Sequence, residues 1–281
     1  MNTLKQRLRD FKLAGILSGL EQRILYAQKQ SLGHLEFLEL LCEDEENSRK
    51  QNSYNNRYAK SKVPEYKNLE TFDFEFQPSI DQRLINDAAT CFFIENKKNL
   101  IFIGKPGTGK THLSIALGII ALAKNYKVLF TSVSEMLTQL NMSKADNSYY
   151  KKLQYYLDPH LLILDELGFK KLPAFAADDL FEVISKRYEK GSCIITTNKS
   201  FEQWHEILGD HILASAILDR IVHHSMIFKI KGPSFRSKDI DVVSSVVVDR
   251  SNYDTDGMEL LKEVLPKNNK STKEVTTAAV S

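Results

Sequence analysis

NLIFIGKPGTGKTHLSIALG, residues 99–118, decides how this chain is read. It opens with the apolar run Leu100, Ile101, Phe102 and Ile103. Gly104-Lys105-Pro106-Gly107-Thr108-Gly109-Lys110-Thr111 then fits G-x-x-x-x-G-K-T, and a helical apolar pattern follows over 112–124. Strand, glycine loop and helix in that order predict a cradle for phosphate. Glycines let successive backbone N–H groups face one point, and the helix adds its positive end. Lys110 is expected to reach the β- and γ-phosphate oxygens, and the Thr111 hydroxyl to bind magnesium. A glycine-rich turn that binds nothing is the bland alternative, and the strict order counts against it.

Outward from this loop, Leu161-Leu162-Ile163-Leu164-Asp165-Glu166 is a second apolar run, ending in two carboxylates. Asp165 is expected to hold the metal and Glu166 to polarise an attacking water, which favours hydrolysis over phosphoryl transfer to a small molecule. Cys193-Ile194-Ile195-Thr196-Thr197-Asn198 is a third such run. Asn198 reads either as a water-orienting group beside the γ-phosphate or as a turn former. Arg220 and Arg236 stand near two further element ends; taken alone, each is a candidate for stabilising the transferred phosphoryl charge or a solvated surface group.

The wider chain is ordinary: 281 residues, net charge +2, 42% hydrophobic and 26% charged. Such composition accommodates a buried core. The longest apolar stretch, residues 114–123, is too short for a bilayer, and the first ten residues lack a signal peptide's apolar core, so a cytoplasmic protein with no membrane association is expected. Cys42, Cys91 and Cys193 have no CxxC or nearby His spacing, so packed thiols are expected rather than disulfides or zinc. Leu4, Leu8, Phe11, Ile16, Leu20 and Ile24 recur at helical spacing, making the first 60 residues all-helical. From residue 79 helix and strand alternate, with Ser79-Ile80-Asp81-Gln82 as a capping box before a face of Ile80, Leu84, Ala88 and Cys91. Strands are expected over 100–103, 127–131, 161–164, 193–197 and 226–230, in a parallel sheet buried on both faces. The polar end of the chain reads as a disordered tail with a short helix around 258–264. The division is therefore 1–66 helical, 67–240 α/β and 241–281 tail.

Taken together, NLIFIGKPGTGKTHLSIALG, LLILDELG, TTNKSFEQWHEILGD and ILDRIVHHSMIFKIKGPSFR resemble the IstB-like ATP-binding proteins. These are helper ATPases of insertion-sequence transposition, related to the DnaC helicase loaders. The resemblance covers about residues 3–240 and is sharpest at Trp204, Gly209-Asp210, Leu218-Asp219-Arg220 and Phe235-Arg236. It implies an AAA+ P-loop ATPase core, with sheet order 5-1-4-3-2, behind a helical region for DNA binding and assembly. ATP and Mg2+ are the implied cofactors. A homo-oligomer on double-stranded DNA, recruiting or activating a partner transposase, is the implied assembly. Asn198 then matches sensor 1, Arg220 an arginine finger donated to a neighbouring subunit, and Arg236 sensor 2. Lys105 replaces the usual Pro, and Lys199-Ser200 the usual Leu-Pro.

Three segments compete as DNA contacts. One is the Tyr-interleaved run 49–67 with Arg49, Lys50, Arg57, Lys60 and Lys62; the others are Lys151-Lys152 among tyrosines, and Lys170-Lys171. Each could equally be a solvated face. His223-His224 lacks a third ligand at suitable spacing and reads as a helix end. A replicative helicase loader and a small-molecule kinase are the competing functions.

Overall fold

A computed structural model describes residues 2–168 and 174–237. The first three elements are α1 (Asn2–Asp10), α2 (Ala14–Gln30) and α3 (His34–Ser61). Left-handed Ser31, at φ 53°, ends α2, and left-handed Lys62, at φ 55°, ends α3 just before Pro64. α1, α2 and α3 share a small core of Leu8, Leu20 and Leu41, and the α2–α3 hairpin is pinned by charge. Glu45 Oε2 accepts the N–H groups of Gly15 and Ile16 at the start of α2, and Arg49 Nε donates to Glu45 Oε1 at 2.6 Å.

The rest alternates: α4 (Gln82–Ala89), α5 (Phe92–Glu95), β1 (Asn99–Gly104), α6 (Lys110–Ala123), β2 (Val128–Ser132), α7 (Val133–Ala145), α8 (Tyr149–Leu157) and β3 (Leu161–Leu167). Then come α9 (Ala174–Arg187), β4 (Ser192–Thr197), α10 (Trp204–Leu208), α11 (His211–His223) and β5 (Ser225–Ile230). A single-turn 3-10 helix, Phe235–Ser237, is the last described element. All five strands pair in parallel in the order β2-β3-β4-β1-β5, so the expected five strands and the 5-1-4-3-2 order are both present.

Side chains alternate between the sheet's faces because strand period is two. Ile101, Leu129, Leu162, Leu164 and Ile195 point to one core, shared with α7, α8, α9, α10 and α11. Leu100, Phe102, Leu161, Ile163 and Ile194 point to the other, shared with α4, α5 and α6. Near-continuous apolar strands are what two covered faces require. Arg187 closes the sheet's lower end. It is buried, and its guanidinium donates to the carbonyls of Tyr156, Leu157, Pro159, His160 and Ser192.

Several expectations need correction. Ser79 does not cap α4: Asp81 does, accepting from Arg83 N at 2.8 Å, while Ser79 Oγ accepts from Lys231 N. Starting the helix at residue 82 turns Ile85 inward, and Leu84 is exposed. Cys91 and Cys193 are buried, but Cys42 is exposed on α3. Tyr54 and Tyr58, read as interleaving aromatics, pack partly buried against the second core. The tail, its short helix and Lys170-Lys171 lie outside the described residues. No described helix is long and apolar enough to cross a membrane.

Candidate functional site

The 104–111 loop leaves the carboxyl end of β1 and turns into α6, so its amides converge at the sheet's upper edge. Two glycines in it are demanded by geometry. Gly107 has φ +77°, and a Cβ there would lie 1.9 Å from Ser234 Oγ; Gly109 has φ +89°, and a Cβ would lie 2.5 Å from Phe72. No L side chain fits either position. Thr108 Oγ1 donates back to the Lys105 carbonyl at 2.8 Å, and Lys110 Nζ donates to the Gly104 and Lys105 carbonyls, each at 2.8 Å. The ammonium thus lies across the mouth of the loop. Burial depresses the Lys110 pKa; Asp165 opposes this, Arg236 reinforces it, and Glu166 opposes it again. A polyanion would be the natural counter-charge.

β4 lies between β3 and β1, and β3 carries Asp165 within reach of α6. Thr111 Oγ1 donates to Asp165 Oδ1 and Oδ2 at 3.0 and 3.2 Å. Thr196, from β4, donates to Asp165 Oδ1 at 2.6 Å, and its oxygen accepts the Glu166 N–H at 2.9 Å. The β3–β4 register shifts between Leu164 and Leu167, and Glu166 adopts φ +61°. A left-handed non-glycine residue is strained. Here the strain accompanies a buried Asp165 beside an exposed Glu166.

Both acids line a cleft of about 320 Å³ together with residues 107–111 and Arg236. Two segments close it. On one side Phe72, Asp73 and Gln77 lie over the loop, with His112 Nε2 2.9 Å from the Asn68 carbonyl and its ring edge-on to Phe72. On the other, Phe235 N–H donates to the Gly107 carbonyl at 2.8 Å, and Gln77 Nε2 donates to the Pro233 carbonyl.

The loop, Asp165, Glu166 and Arg236 therefore share one cleft. Asn198 does not line it. It lines the adjoining cleft across Gly104 and Lys105, and its buried Oδ1 has no hydrogen-bond partner among the described residues. Arg220 lies elsewhere, at the opposite end of the sheet near Asn99 and Gly191, with its guanidinium 5.0 Å over the Phe181 ring and one bond to the Ala216 carbonyl. Thr196, Phe72, Gln77 and His112 were not singled out from sequence. The sequence signals they carry are a Thr-Thr pair ending a buried strand and the aromatic run ETFDFEFQP at residues 70–78.

The cations considered for DNA divide. Arg49 and Lys50 are ion-paired to Glu45 and Glu46, both at 2.6 Å. The Arg57 guanidinium caps the end of α6, donating to the Leu122 carbonyl and Asn125 Oδ1. Lys60, Lys62 and Lys151 converge on one groove, while Lys152 reaches Gln139 Oε1.

The insertion sequence IS5376 ATP-binding protein of Geobacillus stearothermophilus is 42% identical over 214 residues, 76% of this chain and 85% of the relative. That of insertion sequence IS21 from Pseudomonas aeruginosa is 39% identical over 239 residues, 85% of this chain and 90% of the relative. Among solved structures, the DnaC helicase loader has a TM-score of 0.48 at 24% identity, covering 62% of this chain and 99% of its own. The family model described as IstB-like ATP binding protein matches residues 6–241. With its glycine loop, its parallel five-stranded sheet and that match, the chain belongs to the family of IstB-like ATP binding proteins.

Proposed function

We propose that the chain is a magnesium-dependent ATPase that assembles on duplex DNA, in the cytoplasm, as the helper of a partner transposase. The observation that carries the hydrolytic part is the convergence of two hydroxyls, Thr111 and Thr196, on the buried Asp165 beside the glycine loop. That donor set, oxygen ligands next to a phosphate cradle, suits magnesium. Bound through Thr111 and Asp165, magnesium would neutralise charge on the phosphates. The loop amides and Lys110 bind and orient the triphosphate. Glu166, held exposed by its backbone, takes the proton from the attacking water. Asn198 orients that water from the neighbouring strand end, and Arg236 holds the phosphate chain from the far wall.

Arg220 is separated from its own cleft by the length of the sheet, so its phosphoryl-stabilising role is served in a neighbouring subunit. Head-to-tail interfaces of that kind build rings or filaments. The transposition setting rests on relatives named as ATP-binding proteins of insertion sequences.

The test uses ATPase rates and electron microscopy with duplex DNA. Lys110→Ala and Arg220→Ala should each lower hydrolysis by about three orders of magnitude and abolish ATP-dependent clusters on DNA. Mixed in equal parts, the two variants should regain activity at about a quarter of interfaces, because head-to-tail pairing gives some intact loops an intact finger. A mixture as inactive as its components would remove the role in trans. Wild-type protein inert toward ATP and magnesium would remove the enzyme.

A further inference from the structure

Two stretches some 90 residues apart, each basic and each rich in tyrosine, meet in the fold. The second half of α3 faces α8 across a groove of about 870 Å³, floored by the start of β2. Lys60 and Lys62 come from one wall, Lys151 and Tyr155 from the other, and Lys127 from the floor. Lys127 belongs to neither stretch, yet adds a cation to the same groove. Among the described residues lining the groove Asp158 is the one carboxylate, and it is committed to Lys127 at 3.0 Å. Among the described residues Lys60, Lys62 and Lys151 have no carboxylate within ion-pair distance, unlike Arg49 and Lys50. Lys62 and Lys152 instead stand 5.6 and 5.4 Å from the Tyr155 ring centroid.

Unpaired ammonium groups gathered along a groove repel one another, and this arrangement is stabilised when an anion of matching length lies among them. Lysine is a mobile point charge that suits phosphate without demanding one geometry. The one guanidinium among the described residues lining the groove, on Arg57, has all three nitrogens engaged by Ser53, Leu122 and Asn125. No free fork remains to read a base edge. We infer that this groove between α3 and α8 is the track for one phosphate backbone of duplex DNA, contacted independently of sequence through Lys60, Lys62, Lys127 and Lys151. Since α3 belongs to the helical region and α8 to the α/β core, DNA in the groove would touch both. The inference rests on the DNA-binding reading above and specifies where the strand lies and by what chemistry.

Duplex binding is measured by fluorescence anisotropy from 50 to 300 mM salt (concentrations on the order of those over which phosphate contacts are screened) with a non-hydrolysable ATP analogue. Three proteins are compared: wild type, the triple variant Lys60→Gln, Lys62→Gln, Lys151→Gln, and a control with Lys29→Gln, Lys98→Gln, Lys190→Gln. Both variants lose the same net charge. The groove variant should bind on the order of tenfold or more weakly, and its slope of log affinity against log salt should shrink by about 2 to 3. The control should follow the wild type. Replacing the same three groove residues by arginine should restore the slope, and unchanged nucleotide affinity would show that the glutamine variant is folded. If wild type binds and the groove variant keeps the wild-type slope, or loses no more than the control, the groove assignment is overturned while DNA binding stands. An acidic protein partner would then be the better occupant. If wild type itself binds no duplex, the DNA reading fails and the groove assignment fails with it.

Discussion

Thr196 is hydrogen-bonded in two directions at once, to the Asp165 carboxylate and to the Glu166 amide. Its hydroxyl therefore fixes both the orientation of the proposed metal-binding acid and the backbone of the proposed base. Valine has the same outline and neither bond. Thr196→Val should raise the magnesium concentration for half-maximal hydrolysis by about 10- to 100-fold, the usual cost of losing an outer partner of a metal ligand. Metal-free nucleotide binding should be unchanged. Titrating magnesium in a steady-state ATPase assay checks this, and identical half-saturation in both proteins would leave Thr196 a packing residue only. Sequence made Lys110, Thr111, Asp165 and Glu166 visible because each stands in a local pattern, a glycine loop or an apolar strand ending in acid. Thr196 and Phe72 were invisible because what makes them notable comes from another element. Thr196 reaches across one strand, and Phe72 packs over Gly109 from 37 positions upstream in sequence.

Among the elements, the turn joining α8 to β3 is heavily bonded. Arg187 holds four of its carbonyls, and the His160 ring accepts the Lys127 N–H through Nδ1 at 2.9 Å. Burial lowers the His160 pKa, and the charges of Lys127 and Lys97 lower it further. With a folded-state pKa below the ordinary value near 6.5, the neutral ring's contribution is complete above about pH 6.5 and is lost as pH falls through the folded-state pKa. The urea midpoint of wild type should therefore drop between about pH 7 and pH 5 more than that of His160→Asn. Parallel curves would show that the ring's protonation is irrelevant. Strands were legible because parallel strands covered on both faces are continuous Val, Ile and Leu runs. Helix starts were less so: the capping box expected at Ser79 gives way to Asp81, and the Ser79 hydroxyl is engaged by the Lys231 N–H from beyond β5.

At the scale of the molecule, the phosphate loop is clasped by two segments far apart in sequence. Residues 68–77 lie on one side of it and residues 232–236 on the other, and they touch each other through Gln77 and Pro233. A triphosphate held by the loop should tighten both. An ATP analogue at about 100 times its dissociation constant should add about 2.7 kcal/mol to stability, raise the melting temperature by several degrees, and slow proteolysis within 68–77. Lys110→Ala should show neither effect, and a melting curve blind to the analogue in wild type would contradict the clasp.

β2 ends the sheet, and α3 packs against it while Arg57 fastens that helix to the end of α6. A terminal strand carries a row of unused peptide donors and acceptors, able to template pairing with any extended chain nearby. α3 thus shields the α/β core from illicit pairing, whatever else that helix grips. Grafting a different head onto this core would demand a helix of similar reach along the same flank.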